Sequence, residues 1–529
     1  MLSTPETLSK VHNSRPAFDW MSMVVAVILV AMLFPTPQPN VQSNQPWRME
    51  LLTSLLLLAT MIFEYIRDRQ SFARIFTFGS GYFGWIFGLL SAFTLWGLAS
   101  SAWANAPFSA WHHTVIWVNY LIAFLYLRYR IQKNYGTAFI TATFFWLALI
   151  LGSLSLVDYS TSPNFAAVES NIRLRYSKYA ELLITALPVL WVTSIYLRQN
   201  LGRRLFLLAA SIGWLAVMLS LSRGAFIVGV FALAATFGAI ILMGPLSIRK
   251  RTAKTAALWI ILTLVVQFGF SYLSPIPSTS EYISGTSGQG SESSLARVFI
   301  WTIGGQMVRD NAILGVGADN FGVAFNRSRA AYRDANPSIP PDERVSDKTI
   351  ERSHNEFLQI FAELGFVGLV LFGAAFVVVA LWIVQTFRRR TSTFSPILIS
   401  SIAGMAAFLA SAGVSSFSFR LAQNGMVFFA VFALATIELA KFHNGHSADQ
   451  EPRRKPSSIA LFFLIASYLL IASVTMGLKG LAEYYILAAN QEAESAQAIR
   501  LYRRAYTVDP DYSATYLFSS ARSYADRTI

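Results

Sequence analysis

The chain has 529 residues, 54% of them hydrophobic, with no cysteine and a formal net charge of +14. Apolar runs of about twenty residues recur along it, the mark of a polytopic membrane protein rather than a soluble core. The missing cysteine excludes disulfides, thiolate catalysis and Cys-ligated zinc, and the basic excess belongs to cytoplasmic loops, so no nucleic acid is expected as a partner.

The runs fall at 20–36, 49–65, 83–103, 111–127, 137–157, 179–197, 205–221, 224–243, 256–275, 357–384, 396–413, 424–440 and 458–477. They predict an all-α body of about thirteen transmembrane helices. The Phe, Tyr and Trp residues are assigned to its lipid-exposed surface and interfacial belts. The expected division is an N-terminal bundle over 1–178, a transmembrane core over 179–275, an extracytoplasmic loop over 276–356, further transmembrane helices over 357–477, and an extracytoplasmic helical tail over 478–529.

Alternate loops separate by charge. "RDRQ", "RYRIQK", "RQNLGRR", "IRKRTAK", "FRRR" and "EPRRK" share one side, which the positive-inside rule makes cytoplasmic. "ANAPF", the loop before Lys178, the turn at Arg223 and the segment 276–356 share the other. That long segment holds eight basic and ten acidic residues, none of the positive excess of the cytoplasmic set. It opens with a Ser/Gly-rich stretch, then predicts a helix over 295–308 and a turn at "GVGADNFG" packed on the membrane domain. The glycines there do not make a nucleotide-binding loop, because no strand precedes them and the G-x-G-x-x-G spacing is absent.

The loop ends in "ERSHNEFLQIFAE". Ser353 and Glu356 have capping-box spacing, which puts His354 in the first turn of the next helix; Asn355 is the alternative cap. A helix N-terminus favours neutral histidine and attracts anions, which suits a proton acceptor beside a phosphate-bearing substrate. An interfacial histidine that merely frames the helix is the bland alternative. Arg297, Arg309 and Arg352 share its loop, and Arg173, Arg175 and Arg223 share its face.

Arg223 stands between two apolar runs with almost no loop around it. It is either a snorkelling charge at a turn or a guanidinium that forks onto an anion. His112 and His113 are adjacent, and His443 and His446 are three apart, without a convincing set of companion ligands, so neither a metal nor another cofactor is expected.

"LSLSRGAFIVG", "SLARVFIWTIGGQMVRDNAILGVGADNFG" and "ERSHNEFLQIFAELGFVGLVLF", in that order, resemble the O-antigen ligase and polysaccharide polymerase superfamily over about 173–429. The resemblance implies an all-α, GT-C-like, multi-pass glycosyltransferase of the bacterial inner membrane with its active face extracytoplasmic. It further implies a polyprenyl diphosphate-linked glycan as donor and a glycan or lipid A core as acceptor, with membrane lipids around. His354 maps to the family's essential histidine, Arg223 and Arg297 to its diphosphate-binding arginines, and Arg173 and Arg175 compete for a third such role. Here "NIRLRYSKYAELL" departs from the family's Pro-Asn pattern. The implied chemistry is inverting and metal-independent: arginines steady the leaving diphosphate while His354 takes the acceptor's proton. Arg352, Asn355, Glu363 and Arg309 are candidate supports.

Ligase is favoured narrowly over polymerase. A lipid-linked glycan transporter or an assembly scaffold is the rival class, against which stands the lack of evident repeats and of midplane charges. The tail, with "LYRRAY" and "DPDY", is expected to form a tetratricopeptide-like hairpin, with 487–529 a candidate surface for a protein partner.

Overall fold

The computed structural model describes residues 20–32, 46–76, 81–132, 136–161, 176–220, 222–273, 288–337, 350, 352–388, 395–415, 418–444, 458–492 and 495–510. Among them every regular element is helical. In chain order these are α1 (Trp20–Ala31), α2 (Pro46–Arg67), α3 (Arg69–Ile75), α4 (Tyr82–Ala99), α5 (Pro107–Gln132), α6 (Gly136–Thr161), α7 (Tyr176–Tyr196), α8 (Asn200–Leu219) and α9 (Arg223–Met243). There follow α10 (Leu246–Leu273), α11 (Gly288–Asp310), α12 (Phe321–Ala335), α13 (Glu356–Arg388), α14 (Pro396–Ala412), α15 (Ala422–Asn444), α16 (Ser458–Gln491) and α17 (Ser495–Val508).

Among the described residues ten helices are long and apolar enough to cross a membrane, and α1 and α14 are shorter apolar helices. Helix α5 is 26 residues long but carries His112, His113, Asn119 and Arg128 on buried positions, which dilutes its apolar character. Each of the thirteen apolar runs has its helix.

The aromatic residues correct one expectation. Many are interior rather than lipid-facing: Phe93 packs edge-on to Trp117 at 4.8 Å, Trp117 lies 5.2 Å from Phe419, and Phe408 lies 4.7 Å from Phe428. Lipid tails are as apolar as leucine, so helices associate in a bilayer through close packing and polar contacts, and interlocked rings supply that packing. Interhelical hydrogen bonds add to it, as from Asn119 Nδ2 to Ser54 Oγ at 2.9 Å and from Trp214 Nε1 to Thr263 Oγ1 at 2.9 Å.

The two ends of the bundle differ in kind. At one, Arg130 pairs with Glu64 at 3.1 Å, Tyr82 donates to Gln385 at 2.5 Å, and Lys441 pairs with Glu438 at 2.7 Å. These join the ends of α2 with α5, of α4 with α13, and hold the end of α15, next to the basic loops. The other end gathers the loops with no basic excess. Asn320 donates to the Ala106 carbonyl at 3.1 Å, and Ala318 N–H donates to Ser100 Oγ at 2.8 Å, which ties "ADN" to the turn after α4. Ser418 in the α14–α15 turn donates to Glu181 near the start of α7 at 3.2 Å.

The long loop contributes more helix than expected. Helix α11 begins at Gly288, inside the Ser/Gly-rich stretch, and α12 had no signal of its own. Ile300, Ile303, Met307, Phe321 and Phe325 form a small core that rests on Ala362 of α13.

Helix α13 is interrupted, which its unbroken apolar run does not predict. Gly365 has φ 65° and ψ −168°, conformations that side-chain-bearing residues avoid. The chain after α11 pairs with the break: Val316 N–H donates to the Ala362 carbonyl at 3.0 Å, Gly317 N–H to that of Glu363 at 2.8 Å, and Phe366 N–H to that of Ala312 at 2.8 Å. The turn at 315–320 therefore replaces helical hydrogen bonds that the break removes. Residues 366–388 alone span about 34 Å at about 1.5 Å per residue, enough to cross the hydrocarbon.

The tail hairpin is built by the end of α16 and by α17, with Ala482, Ile486 and Ala489 packed on Ala498, Tyr502 and Ala505. Residues 511–529, which hold the second half of the expected tetratricopeptide-like motif, lie outside the described residues.

Candidate functional site

The start of α13 is capped by Asn355, whose Oδ1 accepts from Leu358 N–H at 3.1 Å. The capping-box reading is corrected: Ser353 stands two residues before the helix, its Oγ accepting from Asn355 N–H at 3.1 Å, and Glu356 turns inward. His354 lies between them with φ 55°, in a left-handed turn ahead of the cap rather than in the first helical turn. Such a conformation is uncommon for a residue with a Cβ and is held here by the fixed residues on either side.

Helix α11 crosses above this turn. Trp301 Nε1 donates to the Ser353 carbonyl at 2.8 Å, and Arg297, four residues earlier, shares the Trp301 face. Burial pushes the pKa of His354 down to about 4, and the positive charges of Arg297 and Arg352 add to that effect. The structure thus brings together three residues singled out from sequence: His354, Arg297 and Arg352.

The start of α9, where Arg223 stands, lies at the same end as the turn after α14 and the start of α13. A Cβ on Gly224 would lie 3.1 Å from Val414, and one on Gly413 would lie 3.9 Å from Phe357 of α13. Arg309 is exposed and twelve residues along α11 from Arg297, about 18 Å at about 1.5 Å per residue, so it is not gathered with His354. Arg173 and Arg175 lie outside the described residues.

Glu363 is fully buried and joined to a guanidinium that sequence reasoning passed over. Arg420, in the α14–α15 turn, bonds Glu363 at 2.7 Å, Asp319 at 3.1 Å and Glu356 at 3.2 Å. Glu363 also accepts from Gln359 Nε2 at 2.9 Å and from Asp319 N–H at 2.9 Å, while Ser353 N–H donates to Gln359 Oε1 at 3.2 Å. A polar chain therefore runs from the His354 turn to Arg420. Burial works against the Arg420 charge, but Glu363, Glu356 and Asp319 outweigh it and hold its pKa above the usual value.

Beside this network is a narrow cleft, with Arg352, Asp319, Glu356 and Arg420 on one wall. Glu50, His112 and His113 form the opposite wall, and Trp117 and Phe419 line it as well. His112 Nδ1 lies 3.5 Å from Glu50 Oε2 and 3.2 Å from Lys479 Nζ. The two histidines therefore do have an acidic neighbour, one that is distant in sequence. The signals available were Glu356 and Glu363, seven residues apart on one helix face and needing a cation, and a lone arginine in the short turn "SFSFRLAQ".

Residues 205–373, from α8 through the break in α13, match the sequence model of the family described as O-antigen ligase. The match supports membership of the O-antigen ligase and polysaccharide polymerase superfamily. The matched region carries Arg223, Arg297, Arg352, His354 and Glu363 but neither Arg420 nor the Glu50 wall. The same match supports an enzyme of O-antigen ligase or polymerase type in a multi-pass membrane protein, with a lipid-linked glycan donor and a glycan acceptor. No curated protein matches the sequence.

Proposed function

We propose that the chain is an inverting, metal-independent glycosyltransferase of O-antigen ligase type, which moves a glycan from a polyprenyl diphosphate to an acceptor hydroxyl at the extracytoplasmic face of the inner membrane. The observation that carries this reading is His354, held in a strained turn and kept neutral beside Arg297 and Arg352. The basic loops at the opposite end of the bundle support the choice of face.

In this mechanism the acceptor oxygen attacks the anomeric carbon from the side opposite the diphosphate. The bond from that carbon to the phosphate oxygen breaks, the diphosphate leaves with the electron pair, and the acceptor's proton passes to His354. Arg297, Arg352 and Arg223 steady the departing charge, with Arg173 and Arg175 as further candidates from sequence. A bound diphosphate offsets the two arginines that press the His354 pKa down, so the base strengthens as the donor arrives.

The test is transfer by the purified chain from a polyprenyl diphosphate oligosaccharide to lipid A core, to a second carrier-linked glycan, or to peptide. One transfer onto lipid A core is expected; a ladder of lengths assigns a polymerase instead. His354→Ala should lower transfer about 10²- to 10⁴-fold while donor binding persists. Wild-type activity in that variant would remove His354 as the base.

A further inference from the structure

The hairpin of α16 and α17 has no role in the mechanism above. Helix α16 is tied to the bundle by Trp111 Nε1, which donates to Thr475 Oγ1 at 3.1 Å, and by Trp47 Nε1, which donates to Glu483. Trp47 and Trp111 stand near the starts of α2 and α5, so these contacts mark one end of the bundle. About 20 residues cross the hydrocarbon, so a span that opens at Ile459 leaves it near Lys479. Helix α16 runs on to Gln491, and α17 turns back along it, with Ala498, Tyr502 and Ala505 packed on Ala489, Ile486 and Ala482. Arg503 and Arg504, beside Ala505, therefore return to about the level of Tyr484. That level is about 7 Å beyond the hydrocarbon at about 1.5 Å per residue, the depth of lipid headgroups.

The face of α17 turned away from α16 is basic. Arg500, Arg503 and Arg504 follow i, i+3, i+4 spacing, all are exposed, and none joins an ion pair among the described residues. The nearby carboxylates point elsewhere: Glu483 accepts from Trp47, and Asp509 is buried. Loops at this end of the bundle carry no basic excess, so topology does not account for three arginines on one helix face. Ile499 and Tyr506, 47% and 48% exposed, flank them, and Tyr484 of α16 is 62% exposed at the same level. Arginines with exposed aromatic and aliphatic side chains beside them suit a helix that lies against a membrane surface. The guanidinium groups fork onto phosphate while the apolar parts settle at the headgroup boundary. Depth selects the occupant, because the phosphates of the leaflet already stand at the level of Arg503 and Arg504.

We propose that α17 docks on the headgroups of anionic phospholipids, with Arg500, Arg503 and Arg504 binding their phosphates and Ile499 and Tyr506 resting at the boundary with the acyl chains. Docking fixes the end of α16, whose Lys479 lies 3.2 Å from His112 Nδ1. The surface is separate from the glycosyl-transfer site and does not depend on that reading.

The chain has no cysteine, so Thr507→Cys, on the exposed side of α17, carries a single thiol-directed fluorophore. The full chain is placed in nanodiscs of phosphatidylcholine, with or without phosphatidylglycerol, each holding a lipid with a nitroxide on its headgroup as quencher. Quenching should deepen when phosphatidylglycerol is present and recede as salt is added. Arg500→Gln, Arg503→Gln and Arg504→Gln should each lower the ratio of docked to free hairpin about fivefold, from about 1 kcal/mol per basic residue near an anionic surface. Quenching that is equal in the two lipid mixtures, or unchanged by all three substitutions, overturns the proposal. A change in the probe caused by soluble pyrophosphate or polyglutamate in phosphatidylcholine discs, without one caused by phosphatidylglycerol, overturns it too and assigns the face to a free phosphate or an acidic protein.

Discussion

Two arginine-containing clusters occupy one end of this protein, fewer than ten residues apart along α13, and they are built to opposite rules. Arg420 is saturated: three carboxylates surround one buried guanidinium, and the most buried of them, Glu363, is fixed by further hydrogen bonds from Gln359 and the Asp319 N–H. At the His354 turn, Arg297 and Arg352 stand over a neutral imidazole with no carboxylate among the charges that shift it. The first arrangement cancels charge and fixes structure; in the second the positive charges act on the imidazole and disfavour its protonated form. Charge balance therefore distinguishes the buried network from the cluster proposed to react.

Substitutions on each side test that contrast, and the largest effect is expected at Arg420. Arg420→Met leaves three acidic groups without their cation and should destabilise the fold by about 3–5 kcal/mol, seen as loss of monodisperse protein and a lower unfolding temperature in detergent. A stable, active Arg420→Met protein would show that the network is not structural.

Next comes Gly365→Ala, where a Cβ would lie 2.1 Å from the Ile313 carbonyl oxygen on a residue at φ 65°. The expected cost is about 1–3 kcal/mol, with activity lost through displacement of Glu363 and the loop turn. Unchanged thermal stability would count against the break as a fixed feature.

The field at His354 is tested by pH. Its pKa, lowered by burial and then by Arg297 and Arg352, lies below the ordinary value, so the neutral form is present above about 4. The same shift contributes stability that is full above the unfolded value of about 6.5 and is lost as pH falls through the folded value. Arg352→Gln removes one positive charge, so the His354 pKa rises and the acid limb of kcat/KM for the donor moves to higher pH. A limb that stays in place would dissociate Arg352 from the base.

The smallest effect is the cap. Asn355→Ala should cost about 1 kcal/mol of stability, measured by thermal unfolding, and change donor KM little.

Much of the His354 end of the bundle was legible because its signals are local. His354 announced itself at a loop-to-helix boundary, and Arg297 and Arg223 by their places beside apolar runs. Asn355 as the cap was one of two readings that spacing alone allows. The break at Gly365 was hidden because a glycine within an apolar run looks the same in either backbone conformation. Its departure from the helix depends on the loop turn that pairs with it, some fifty residues earlier in the chain. Arg420 was missed because its three partners are 57, 64 and 101 residues away in sequence. His112 and His113 were set aside because Glu50 and Lys479 reach them only through packing of α2 and α16 on α5.

By itself the sequence determined the membrane body and the histidine just ahead of α13, since hydropathy and helix termini are properties of short stretches. Only the tertiary structure decided which charges pair, because a buried ion network joins residues that no local pattern connects.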